Sequence, residues 1–228
     1  IPFVGLDNGP IARLAYEHLR DLGLRHFAFC GTPRGENPNQ DFRCDSFRRL
    51  VERDGRSCEV WLGEHLEKHA VTWEDQQRDL ANWLRKLPKP VGIMTCHDDR
   101  GQQVLDAGRR VDLAVPDHAA VISVDNDPCL CNLCTPTLTS IDVNPSRVGY
   151  AAAELLDRLM TGEQPESMIT YLGPPRGIAS RGSTDMLAID DQNLAEAVRF
   201  VRTHATRGIR VSDVIARAGQ SPSTLERR

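Results

Sequence analysis

PVGIMTCHDDRGQQVLDAG (90–108) decides how the rest of the chain is read. Its opening run, VGIMTC (91–96), has little internal polarity, the pattern of a strand covered on both faces. Three polar residues follow at once, His97, Asp98 and Asp99, and then a helical segment over Arg100–Arg109. Strand, polar tip and helix form the repeating unit of a parallel sheet, because parallel neighbours must be joined by a crossover and a helix is the usual one.

Outward from this unit the same rhythm recurs. FVGL (3–6), HFAFC (26–30), CEVWL (58–62) and AVISV (120–124) are further strand-like runs. Between them lie amphipathic stretches. Ile11, Leu14, Ala15, Leu19 and Leu22 share a helical face that Gly23 closes, and Phe42, Phe47, Leu50 and Val51 form a second, closed by Gly55. Trp73, Leu80, Trp83, Leu84 and Leu87 make a third, ended by Pro88; Val148, Ala152, Leu155 and Leu159 make a fourth, ended by Gly162. The expectation is an α/β domain built on a parallel sheet.

Ligands of such sheets gather beyond the carboxyl ends of the strands, so the tips are where chemistry belongs. Asp7 and Asn8 follow the first run, His97 and Asp98 the fourth, and Asp125, Asn126 and Asp127 the last; Arg43 is expected in the first turn of a helix after the loop GTPRGENPNQ (31–40). Each has a plainer reading beside it. Asp7 caps the segment at Pro10, and Asp98 or Asp99 caps Arg100–Arg109. Asp125 to Pro128 is only a turn, Arg43 a solvated helix residue, His97 a satisfied structural histidine.

Bulk properties limit the function classes. The 228 residues are 40% hydrophobic and 26% charged, with no apolar run near the roughly 18 residues of a membrane span. Seven cysteines, an odd number scattered through a long chain, point to a reducing compartment, hence a cytoplasmic protein. Cys129, Cys131 and Cys134 lie close together, but no second thiol or histidine pair follows at zinc spacing, so neither a metal nor a cofactor is expected. GxSxG and P-loop signatures are missing, and the chain is read as a non-enzyme. Asp125-x-Asp127 resembles an aspartyl-phosphohydrolase loop, but Pro128 and Cys129 stand where that chemistry wants Gly and a hydroxyl.

Net charge is −4, unevenly divided: from Asp191 onward seven arginines face four acids, leaving −7 for residues 1–190. Past residue 185 the rhythm changes too. DDQNLAEAVRFVRTHA carries Leu194, Val198 and Val201 on one face, and VSDVIARAGQSPSTLERR packs two short helices around Gly219, with Ser212 and Ser221 as caps. This is helix-turn-helix spacing.

These residues carry a resemblance. AVRFVRTHATRGIRVSDVIARAGQSPSTLERR resembles the first helix-turn-helix of AraC/XylS-type transcription regulators. The sequence before it, with PVGIMTCHDDRGQQVLDAG, VPDHAAVISVDND and GYAAAELLDRLMTGE in order, resembles the effector domain of LacI/GalR regulators. The combination resembles that of the xylose operon regulator family, which fuses these two modules. It implies a periplasmic-binding-protein-like (type I) sugar-binding domain over residues 1–187 and the start of an AraC-type DNA-binding domain over 188–228. It further implies that sugar-domain sequence precedes Ile1 and a second helix-turn-helix follows Arg228, so this chain alone is expected to bind DNA weakly. The implied effector is a sugar, D-xylose first and a hexose or purine as alternatives; the implied partners are promoter DNA and a second copy in a homodimer, with no membrane. On the matching motifs the resemblance assigns Arg43, Asp125, Asn126, Asp98, His97 and Asp7 to the sugar, with Val143 where many relatives carry a polar Gln. It assigns Ser223, Thr224, Arg227 and Arg228 to the DNA groove and Arg210 to phosphates.

Overall fold

The computed structural model describes residues 2–63, 72–164, 167–186, 193, 197–198, 200–201, 204 and 208–218. The chain separates into two compact units, residues 1–186 and 187–228. In the first, β1 (Phe3–Leu6), α1 (Asn8–Asp21), β2 (His26–Gly31), α2 (Pro38–Arg53), β3 (Cys58–Leu62), α3 (Trp73–Lys86), β4 (Val91–Thr95), α4 (Asp98–Arg109) and β5 (Ala119–Val124) alternate along the chain. Then come α5 (Pro128–Leu133), β6 (Thr139–Asp142), α6 (Pro145–Met160), β7 (Ile169–Leu172), β8 (Gly177–Ala179) and a 3-10 turn at Gly182–Thr184.

Six strands form one sheet in the order β3-β2-β4-β5-β6-β8, every neighbouring pair parallel except the last. Its centre is dry. Along β4 and β5 the side chains alternate between two cores. Met94, Ala120, Ile122 and Val124 face α1 and α2, while Val91, Ile93, Ala119 and Val121 face α3, α4 and α5. That double coverage is why these strands read as continuous apolar runs. Each fully buried Ile or Phe here contributes about 1.5–3 kcal/mol.

α1 lays Ile11, Ala15 and Leu19 on the sheet at helical spacing and stops where Gly23 takes a left-handed φ of 82°. It sits so close that a Cβ added at Gly92 of β4 would press on Leu19 and Leu24 at 3.1 Å. α3 starts with a full capping box, Thr72 and Asp75 each satisfying the other's backbone N–H.

Three expectations about packing need correcting. Phe42 and Trp73, placed in apolar stripes, are 49% and 52% exposed; Trp73 begins its helix and lies instead under the Arg110 guanidinium. α6 buries no residue: Val148, Leu155 and Leu159 are only half-buried and Ala152 is exposed. Its neighbour is β1, which pairs with β7 in a separate two-stranded parallel sheet too small to cover a four-turn helix. Arg43 stands in the second turn of α2, since that helix begins at Pro38 after the Asn37 cap.

In the second unit α7 covers Val211–Ala218. Ser212 is inside this helix, and the side chain meeting its first turn is that of Asp213, which accepts the Arg210 backbone N–H at 3.0 Å. Phe200 stacks with His204 at 4.7 Å between centroids and carries the Arg217 guanidinium over its ring at 5.0 Å. Arg210 is exposed; Ser223, Thr224, Arg227 and Arg228 lie outside the described residues.

No helix among the described residues is long and apolar enough to cross a membrane. Among those residues no group of three His, Cys, Asp or Glu side chains could hold a metal ion. Of the cysteine cluster, Cys131 and Cys134 are buried and Cys129 is exposed.

Candidate functional site

The strand tips divide into residues consumed by helix capping and residues left over. Asp7 caps α1, its Oδ1 accepting the Gly9 N–H at 2.9 Å. Asp127 caps α5 by accepting from Cys129 and Leu130. His97, not Asp98 or Asp99, caps α4, its Nδ1 accepting the Arg100 N–H at 3.2 Å. That bond requires a bare Nδ1. Burial holds the His97 ring below its usual pKa; Asp99 opposes this, while Arg100 and Arg43 add to it.

Arg43 is the centre of what remains. It is 6% exposed; its Nε donates to Asn8 Oδ1 at 2.9 Å and its Nη1 to the Cys96 carbonyl at the tip of β4. Desolvation lowers its pKa, and the opposing influences come from Asp125, Cys96 and Asp98. Among the described residues no carboxylate forms a direct ion pair with it.

Asp125, just past the end of β5, is close enough for its charge to act on this cation. Its carboxyl is pushed up to about 6, chiefly by desolvation, with Asp98 and Asp99 adding to the rise and Arg43 opposing it. The residue itself is exposed, so hydration works against the shift. Asp125 and Asn126 both take positive φ, 110° and 55°, in a loop that also turns Asn126 Oδ1 onto the Arg181 guanidinium at 2.8 Å. Asp98 is 4% exposed, with its carboxylate on Ser123, Ser140 and the Asp127 amide.

Next to Asn8 opens a cavity of about 400 Å³ lined by Leu6, Asp7, Asn8, Asn39, Phe42 and Tyr171. Two exposed aromatic rings beside amide and carboxylate groups suit a ligand with one apolar and one polar face. Asn8 joins this cavity to Arg43. Of the residues expected from sequence, Arg43, His97, Asp98 and Asp125 therefore share one electrostatic neighbourhood, with Asp7 at the adjoining cavity. Asn126 meets Arg181, and Val143 is buried in the core. Phe42, Asn39, Tyr171 and Arg181 were not anticipated at the site. Only the Asn37–Asn39 segment of the Gly/Pro/Asn-rich loop carried any signal for it.

Known proteins match this architecture. The chain is 32% identical over 228 residues to the xylose operon regulatory protein of Haemophilus influenzae, and 32% identical over 229 residues to that of Escherichia coli K12. In both cases all of the chain is aligned, and it spans 58% of the relative's length. Among solved structures, one described as the xylose-binding transcription activator xylR superposes with a TM-score of 0.80 at 31% identity, covering 100% of this chain and 60% of that one. Residues 16–184 match the periplasmic binding protein-like domain, and with most of its length inside that match the chain belongs to this family.

Proposed function

We propose that this chain is the effector-binding part of a sugar-responsive transcription regulator, with D-xylose as effector. One observation carries the reading: a buried guanidinium, Arg43, stands at the sheet's carboxyl edge with no direct carboxylate ion pair among the described residues, within electrostatic reach of Asp125 and beside an aromatic-lined cavity. Holding a cation out of water costs several kcal/mol unless something compensates it, and a polyol inserted between guanidinium and carboxylate does so through charge-assisted hydrogen bonds. A sugar has no charge and little apolar area. Paired donor and acceptor side chains then supply affinity and stereochemical choice, and Phe42 or Tyr171 takes the ring's C–H face.

On this reading Arg43, Asp125 and Asn8 contact hydroxyls, while His97, Asn126 and Asp7 border the site. The relatives' names support xylose as the sugar; the resemblance of residues 188–228 to AraC-type regulators assigns them to the start of a DNA-binding domain in which Arg210 meets phosphate. The same sequence resemblance assigns Ser223, Thr224, Arg227 and Arg228 to the groove and a homodimer to the assembly. The mechanism is a population shift: sugar favours one arrangement of the effector domain, and DNA affinity changes by the sugar's differential affinity for the two states. The protein carries out no chemistry on its ligand.

Calorimetric titration of the intact protein with D-xylose and its epimers tests this, alongside Arg43→Ala and Asp125→Ala. Saturable binding of D-xylose that both substitutions abolish is the expected result. Unchanged binding in both variants places the sugar elsewhere, and no binding of any pentose by the parent protein rejects the reading.

A further inference from the structure

Asp98 opens α4 but does not cap it, and both its carboxylate oxygens are taken by other elements. Oδ1 accepts from Ser140 Oγ of β6 at 2.6 Å and from Ser123 Oγ of β5. Oδ2 accepts the Asp127 backbone N–H at 2.7 Å. Ser140 Oγ in turn accepts the Asn126 N–H at 2.9 Å. Two consecutive amides of the loop after β5 thus end on one carboxylate, one directly and one through a single hydroxyl. Ser123 and Ser140 are both 0% exposed, so water does not compete for these bonds.

The loop needs such a grip. Asp125 and Asn126 hold φ of 110° and 55°, left-handed backbone that costs an L residue about 1–3 kcal/mol and persists only where surroundings enforce it. Charge-assisted bonds to an ionised acceptor are about twice as strong as neutral ones, and three converge here. The Cys131 thiol of α5 lies against the same carboxylate, so the helix that follows the loop is anchored at that point as well.

Building on the sugar-site reading, we infer that Asp98 is the positioning residue of this site. From one buried point it grips Ser123, Ser140 and the Asp127 amide, holds Asp125 and Asn126 in left-handed backbone with Asp125 facing Arg43, and does not touch the ligand. The sugar thus meets the loop that Asp98 fixes.

Two variants test this in the intact protein. Asp98→Asn keeps the side chain's size but removes the charge and leaves one acceptor oxygen where two now serve the Ser123 and Ser140 hydroxyls and the Asp127 N–H. Ser140→Ala cuts the route to Asn126 without removing a charge, and Ser140→Thr restores the hydroxyl. The readouts are hydrogen exchange at the Asn126 and Asp127 amides, NMR titration of the Asp125 carboxyl, and calorimetry with D-xylose.

Asp98→Asn is expected to speed Asp127 exchange by about tenfold or more, the loss of one bond to a charged group. It also lowers the Asp125 midpoint, because Asp98 and Asp99 of α4 raise it against Arg43 of α2, and one of the two acids is gone. Ser140→Ala speeds Asn126 exchange, and Ser140→Thr returns it toward the parent rate. Both disruptive variants weaken xylose by about tenfold or more. Unchanged exchange in both variants overturns the inference, whatever the calorimetry gives. Loss of xylose affinity with exchange and titration unaltered makes Asp98 a ligand contact and overturns it too. If the parent protein ignores xylose, the sugar reading fails, while exchange and titration still decide what Asp98 does.

Discussion

Replacing Arg43 by Met separates the roles of this side chain, because its effects on stability and on binding are expected to diverge. Methionine keeps an unbranched stem in the same buried channel and removes the guanidinium. Two stability effects then oppose each other. Asn8 Oδ1 and the Cys96 carbonyl lose their donor, at about 1–3 kcal/mol each. Against this, a cation that burial disfavours and no carboxylate directly pairs is gone, and holding such an ion out of water costs several kcal/mol. The sum is close to zero, so unfolding free energy is expected to move by less than about 2 kcal/mol, or less than about 8 °C in Tm. Binding has no such cancellation. Losing two hydrogen bonds to a charged donor removes about 3 kcal/mol or more, a rise in xylose Kd of about 100-fold or more. Arg43→Lys keeps the charge but not the planar fork, and is expected to lose nearly as much affinity. Scanning calorimetry and titration calorimetry on the same preparations read both quantities. Xylose binding within about threefold of the parent in Arg43→Met refutes the reasoning, and so does a loss of stability above about 4 kcal/mol, which makes Arg43 a structural strut.

Asp125 gives a pH prediction. Its folded-state pKa stands at about 6, above the ordinary 3.8, so it gains a proton as pH falls through that value and ceases to be a charged acceptor. Xylose affinity is expected to fall between pH 7.5 and 5, and Asp125→Asn is expected to bind weakly at both; a flat profile in the parent contradicts the assignment. The stability sign is opposite. In the window between the two values the folded state holds the extra proton, so this group favours folding more as pH drops through 6. Arg181→Lys is expected to cost about 2 kcal/mol in urea unfolding. A lysine cannot serve Asn126, Asn132 and the Leu138 carbonyl at once, as the guanidinium does at 2.8, 3.0 and 2.9 Å. Leu84→Ala, at a 0% exposed site in the core beneath α3, is expected to cost about 2–5 kcal/mol in the same assay while leaving xylose Kd unchanged.

The sheet was legible where both faces of a strand are dry, as in β2, β4 and β5, since burial on two sides leaves no polar position to confuse the pattern. β6 hid for the converse reason. Thr139 and Ser140 are 0% exposed, but their hydroxyls bond to Arg181, Thr184, Asp98 and the Asn126 amide, so a core strand reads as a polar stretch. Phe42 was misplaced by arithmetic on a helix. It lies five positions from Phe47, about 140° round the axis, and so points away from the core that Phe47 fills. Arg181 gave no signal, because its side-chain partners Asn126, Asn132 and the Leu138 carbonyl lie 43 to 55 residues away in sequence and only the folded chain brings them to it.

Capping and ligand recognition ask for the same residue types at the same place, beyond the ends of parallel strands, and geometry alone assigns them. A cap must reach an N–H two or three positions ahead, which Asp7, His97 and Asp127 do. Once used in this way an oxygen or ring nitrogen has less left for a ligand. Asp98 is used differently, on three donors from other elements, and is as fully occupied. Arg43 and Asp125 are what this division leaves over. One is a buried cation bonded, among the described residues, to the neutral acceptors Asn8 Oδ1 and the Cys96 carbonyl; the other is a carboxyl whose pKa is raised even with that cation nearby. Two opposite charges held near each other without joining contribute little to folding alone, and on the proposed reading a third, hydroxyl-rich molecule completes the set.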